Sequence, residues 1–212
     1  MLRLLTITSA IVLFAAPALG ASIEYAVEPF SSIKASNGVV VRVVAGREQQ
    51  ITATAGNQAA LDKLQVSVVG GSLIVGFDAG FIGFDLFGGN VVTVDVEMLA
   101  LDGVSGSAGS YIGVEGISVD AMRLEVALGA TLSIEGTCGS AMVSVHEGGT
   151  LHAKALECDA VKVDAAMGGM ASVFARDKAV IQASTGASVD VYGNPAEYNA
   201  DEDLGAVIHR IN

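Results

Sequence analysis

Basic charge is scarce in this chain. Eleven Lys and Arg stand against 23 Asp and Glu, for a net charge of −12. Nucleic-acid binding rests on a basic footprint, and this composition supplies none. The same deficit argues against charge-driven binding to an anionic membrane. Long apolar runs are also missing: after residue 20 none approaches the ~20 residues that span a bilayer, so no membrane span is expected once an N-terminal signal is removed. Helical periodicity is absent, with no Leu/Glu/Lys-rich stretch of ten or more residues at 3.6 spacing, and so is the Leu/Asn spacing of a leucine-rich repeat. There is no Gly-x-Ser-x-Gly elbow and no Gly-Gly-x-Gly-x-Asp calcium repeat.

What the chain does have is a period of about 20 residues. Small-residue turns recur at Ala108-Gly109-Ser110, Gly129-Ala130-Thr131, Gly148-Gly149-Thr150, Gly168-Gly169-Met170 and Gly186-Ala187-Ser188, with starts 21, 19, 20 and 18 residues apart. Three residues after each start come Tyr111, Leu132, Leu151, Ala171 and Val189; five after come Gly113, Ile134, Ala153, Val173 and Val191. Between them lie Ile112, Ser133, His152, Ser172 and Asp190. Before the turns, Leu124, Val143, Val163 and Ile181 alternate with Glu125, Ser144, Asp164 and Gln182. Period-2 alternation is the mark of strands. Short strands repeating at this interval predict a parallel β-helix whose rungs stack ~4.8 Å apart, with Leu, Val, Ile and Ala in inward ladders. Glycine suits the tight corners, where φ is positive and stacked Cβ groups would crowd.

The N-terminus reads as an export signal, residues 1–20. Met1-Leu2-Arg3 gives a positive start, an apolar run follows from Leu4 to Ala16, and Ala16-Pro17-Ala18 and Ala18-Leu19-Gly20 are both small-residue cleavage sites. The other reading is an uncleaved anchor with a short hydrophobic core. No Cys follows, which argues against a lipid anchor. Residues 21–100 are expected to form a β-rich cap and first rungs, continuous as one domain with the repeats of 101–212. Strands are predicted at 31–35, 39–44, 50–55, 64–69, 72–77 and 91–98, with hairpin-type turns at Asn37-Gly38 and Gly70-Gly71. A short helix over 58–64 has Asn57 as its N-cap.

Residues 30–46, FSSIKASNGVVVRVVAG, resemble the opening of the putative auto-transporter adhesin, head GIN domain family. So do the segment from Leu61 to Leu64 and Leu73-Ile74-Val75. The order that follows is similar too: small-residue repeats, then a Gly-x-Pro turn at Gly193-Asn194-Pro195, then a last short repeat at Leu204-Gly205-Ala206-Val207-Ile208. The resemblance spans about residues 28–212. The repeats depart from the family's commoner Gly-Ser-Gly. What it implies is an all-β, right-handed parallel β-helix in the periplasm or at the cell surface, without an established biochemical function.

Several residues are candidates for a site. The loop holding Phe81, Ile82, Phe84, Leu86 and Phe87 concentrates apolar side chains in an aromatic-poor chain. It reads either as a plug over the open end of the solenoid or as a contact surface for a partner subunit or a lipid. Phe174 and Tyr192 fall at equivalent outward positions in adjacent rungs, as either a sugar platform or a stacking pair. Cys138 and Cys158 each lie ten residues before a turn. Stacked neighbours at ~4.8 Å fit a disulfide, and two buried thiols in a ladder fit as well. His146 and His152 flank one corner without further converging ligands, so no metal is expected. Asp201-Glu202-Asp203 reads as solvated charge. The outward acids Glu125, Asp164 and Asp190 are scattered, and neither Arg123 nor Arg176 aligns with them, so no catalytic residue is assigned and no cofactor is expected. The leading reading is a non-enzymatic envelope protein presenting a long, rigid, acidic face to an envelope protein, a glycan or a second copy of itself. The alternatives are an enzyme acting on a polysaccharide and a subunit of an envelope assembly joined through the loop at 81–87.

Overall fold

The computed structural model describes residues 20–77 and 91–211. The expected export signal, apart from Gly20, and the loop with Phe81, Ile82, Phe84, Leu86 and Phe87 lie outside the described residues.

Four long strands form the centre of a parallel β-solenoid: β9 (Tyr111–Val126), β10 (Thr131–Val145), β11 (Thr150–Ala165) and β12 (Met170–Ala183). They pair in parallel in chain order, so each rung lies on the one before it. A straight strand of 15 residues could not close a coil, and these do not run straight. On β10 the buried residues are Leu132 and Ile134, then Cys138, then Ala141, Val143 and Val145. The odd step from Cys138 to Ala141 flips the alternation, which marks a corner. The pairing register also shifts near Ile134 and Gly136. The stack continues through β13 (Ser188–Tyr192), β14 (Glu197–Glu202) and β15 (Val207–Arg210), with β13 and β14 both on β12 and β15 on β13.

The sharpest corner is a two-residue turn with φ positive at both central positions, as in type I′. It recurs at Ala108-Gly109, Leu128-Gly129, Glu147-Gly148, Met167-Gly168, Thr185-Gly186 and Leu204-Gly205. Each is closed by a backbone bond across it, such as Ala130 N–H to Ala127 C=O at 3.1 Å. Each glycine N–H also donates to the next turn along: Gly109 to Leu128, Gly129 to Glu147, Gly148 to Met167, Gly168 to Thr185 and Gly186 to Leu204. The turns thus form their own hydrogen-bonded column. Their glycines correct the repeat frame, because the first turn is centred on Gly109, one residue later than the small-residue run suggests. Tyr111 therefore pairs with Thr131 and is 46% exposed, while Ile112 and Val114 are the buried residues. Asn37-Gly38 has the same geometry. It is not a hairpin, however; it joins two faces of one rung, and Gly38 N–H donates to Ala108 C=O.

The N-terminal rungs stack out of chain order. β2 (Ser32–Ala35) and β3 (Val40–Ala45) flank the Asn37-Gly38 corner. One side of this rung meets β8 (Gly103–Gly106) and the start of β9. The other side meets β6 (Ser72–Phe77) and β7 (Thr93–Met98). The rung is therefore inserted between segments that follow it in sequence. Ser110 helps to pin it: its buried hydroxyl donates to the Ala35 carbonyl at 3.1 Å and accepts from the Ser107 N–H. Beyond β6 and β7 the pairing turns antiparallel. β5 (Leu64–Val69) lies on β6 through the Gly70-Gly71 hairpin, and β4 (Gln50–Ala55) on β7, with β1 (Ala21–Glu24) outside β4. The helix α1 (Gln58–Leu61) is one turn, capped by Asn57 accepting from Ala60 N–H at 2.9 Å. These antiparallel strands end the parallel stack on this side, which limits the free edge open to further pairing.

The core is one continuous column of Val, Leu, Ile and Ala from Ile33 and Leu73 to Val189. No helix among the described residues is long and apolar enough to cross a membrane. Cys138 and Cys158 are in register and disulfide-bonded, with Cα atoms 4.4 Å apart. Replacing both with alanine is expected to cost about 3 kcal/mol of stability for the loop of this length. A shift of under 2 °C in the thermal midpoint of the double variant would contradict that.

Candidate binding groove

The strands leading into each turn form one flat face, and register sorts its outward side chains into lanes along the stack. One lane runs Ser72, Ser32, Gly103, Arg123, Met142, Lys162, Val180 and Asn199. The next runs Ile74, Lys34, Ser105, Glu125, Ser144, Asp164, Gln182 and Asp201. Of the three scattered acids, Glu125 and Asp164 therefore share a lane, whereas Asp190 lies outside it beside Ser172 and His209; Arg123 sits on the same face two residues before Glu125. From β9 to β12 the strands alternate charged and neutral: Arg-x-Glu, Met-x-Ser, Lys-x-Asp, Val-x-Gln. A neutral residue always separates like charges that would otherwise face each other at ~4.8 Å.

Beside the first lane runs a third, with Ala121, Ser140 and Ala160 ahead of Lys178. Small side chains there leave a groove of about 440 Å³ walled by Arg123, Met142, Lys162 and Val180. A second groove of about 280 Å³ lies over Ser32, Lys34, Gly103 and Glu125. The two share Asp102 and Arg123, so they form one open trough across the face. Gly103 leaves a gap in the first lane where they meet. The trough crosses seven strands, from β6 to β12, roughly 29 Å at the usual strand spacing.

The family described as putative auto-transporter adhesin, head GIN domain, has a model that matches residues 29–195. The chain belongs to that family. Two solved structures similar to this head GIN chain are a putative adhesin from Bacteroides fragilis NCTC 9343 and one from Parabacteroides merdae ATCC 43184. The first is 18% identical, with a TM-score of 0.70 over 90% of this chain and 96% of that one. The second is 13% identical, with a TM-score of 0.54 over 91% and 96%. At these identities the likeness is one of fold. No curated protein matches the chain.

The other predicted positions of the head GIN chain fall elsewhere. Phe174 and Tyr192 are in register and both half-buried. Phe174 lies close against Gly193, where an added Cβ would come within 2.9 Å of its Cζ. Phe174 pairs with Glu157, because β12 lacks counterparts of residues 154–156. Arg176 is not isolated from acids: it bridges Glu157 and Asp159. His152 is exposed and His146 partly so, and no cluster of three metal-ligating side chains occurs among the described residues. At the last coil, Glu202 accepts from Ile208 N–H at 2.8 Å and Asp203 from Leu204 N–H at 2.7 Å. Tyr198 lies under the Arg210 guanidinium, 4.9 Å from ring centroid to Cζ. Burial raises the pKa of its phenol above the ordinary value; Arg210 opposes this and Glu202 adds to it. At the opposite end burial likewise raises Tyr25, with Asp62 reinforcing. The groove itself was not singled out in the sequence. Its signal, the Arg-x-Glu, Met-x-Ser, Lys-x-Asp series, shows only once the strands are in register.

Proposed function

We propose that this chain is an exported, non-catalytic binding solenoid with an adhesin-like role, which holds an envelope or extracellular macromolecule along its groove face. The observation that carries this reading is the trough itself. It is open along its length and set on a face whose backbone is already hydrogen-bonded rung to rung. Such a surface suits a long ligand lying across it better than a small molecule enclosed by it. Family membership supports export and surface display.

Two measurements test the reading. Protease added to intact cells expressing the native protein is expected to cut it. Protection until the envelope is opened would sink the adhesin-like role and point to an internal envelope partner. Purified protein is expected to bind isolated envelopes saturably without degrading their polymers. Polymer turnover that is lost on replacing one carboxylate would show an enzyme instead.

A further inference from the structure

Cations are unevenly placed on this acidic chain. The trough is lined by Lys34, Arg123, Lys162 and Lys178 against only Asp102 and Glu125, with Lys178 paired to Glu197 at the trough's end. The chain as a whole carries a net charge of −12. The arginines show the contrast most clearly. Arg42 faces Asp95, Arg47 bonds Glu97, Arg176 bridges Glu157 and Asp159, and Arg210 bonds Asn194 and the Pro195 carbonyl. Among the described arginines, Arg123 alone has no such partner, and it stands where the two grooves join. Lys162, two rungs further on, is unpaired as well. About 9.6 Å separates the two along the trough, with Met142 between them in the lane. Glu125 and Asp164 lie on the same strands, yet neither closes an ion pair with these cations.

We propose that the trough binds an extended anionic polysaccharide lying parallel to the stack, with Arg123 and Lys162 as its charge contacts. This rests on the binding role proposed above and names the ligand class. A polyuronate repeats its carboxylates along a thin strand, as the lane repeats its cations. The apolar stretches at Met142 and Val180 face the C–H surfaces of sugar rings, and Ser140 and Ser105 offer hydroxyl partners.

Three other anionic partners fit less well. An anionic membrane is a plane, and bringing it within a Debye length of this chain would set it against the acidic surface on both sides of the trough. An acidic peptide that binds by adding a strand needs a sheet edge, and here the backbone groups are already paired between rungs. Single-stranded nucleic acid gains much of its affinity from aromatic stacking, and no aromatic side chain lines either groove.

The test is fluorescence anisotropy with labelled polygalacturonate and, as a neutral comparison, labelled dextran of matched length. The expected result is saturable binding of polygalacturonate that weakens as salt is added, with no binding of dextran. The R123Q/K162Q variant is expected to bind roughly tenfold more weakly. The R42Q/K154Q variant, which loses the same charge away from the trough, should bind as the parent does. Both should keep the parent's circular dichroism and thermal midpoint. Equal binding of dextran, or equal losses in the two variants, overturns the proposal. So does retention of the protein by phosphatidylglycerol vesicles or by a thymidine oligonucleotide in place of polygalacturonate. Protein that binds isolated envelopes but ignores polygalacturonate overturns the ligand class and leaves the binding role standing. Protein that binds neither overturns both.

Discussion

Gly136→Ala is expected to lower the thermal midpoint by about 10 °C. Gly136 sits at a corner of β10 with φ of +138°, a conformation that glycine alone adopts readily. A Cβ there would lie 2.2 Å from the Ile117 carbonyl oxygen and 2.8 Å from its nitrogen, both backbone atoms of the neighbouring rung. Backbone locked in a ladder cannot swing aside as a side-chain tip can, so strain and overpacking add, to roughly 3–4 kcal/mol. For a chain of this size each kcal/mol moves the midpoint by about 2–4 °C. Gly148→Ala is the comparison, because Gly148 has φ of +71° with nothing within 4 Å of the added atom. It carries only backbone strain, about 1 kcal/mol. Melting followed by circular dichroism checks both. Equal midpoints for the two variants would show that contact between rungs does not set the cost.

Leu151→Ala is expected to be nearly as damaging, at about 3–4 kcal/mol. Leu151 is fully buried and sits in register between Leu132 and Ala171. In a compact core, neighbours can shift to fill part of such a cavity. Here the rungs above and below are held by continuous backbone ladders, which limits collapse. Because a stack is stabilised mainly by nearest-neighbour interfaces, the loss falls on the junction between β10 and β12. The melt of this variant should broaden as well as shift, since the two halves of the stack then part more easily. Hydrogen exchange would find the β11 amides opening before those of β10. A sharp, unbroadened transition with uniform exchange would show that the stack unfolds as a single unit.

The repeats were legible in the sequence where chain order and stacking order coincide. From β9 onward each rung lies on its predecessor, so equivalent residues recur at 18 to 20 residues, from Gly109 through Gly186. The first rung broke the pattern. Ser32 lies beside Ser72 and Gly103, at separations of 40 and 71 residues, and no period near 20 can reveal that. Its individual strands were still readable, because alternation within β3 or β4 is local. The frame slip at the first turn came from weighting smallness over conformation. Ala108 is small, though larger than Gly129, and the turn is fixed instead by which residue takes the second positive φ. The groove was the least legible part. Arg123 and Lys162 belong together only through Met142, and that relation needs pairing register rather than composition.

The inserted rung also sets an order of events. A chain made from its N-terminus produces residues 32–45 long before either surface that will flank them exists. Both flanks are present only after β6 and β7 have arrived on one side and β8 and β9 on the other. The opening segment is sandwiched only once the in-order rungs behind it supply its second side. The N-terminal strands thus act as a clasp whose two sides come from widely separated parts of the chain. A polypeptide arranged this way stays unfinished until most of its length is available, which suits the export proposed above.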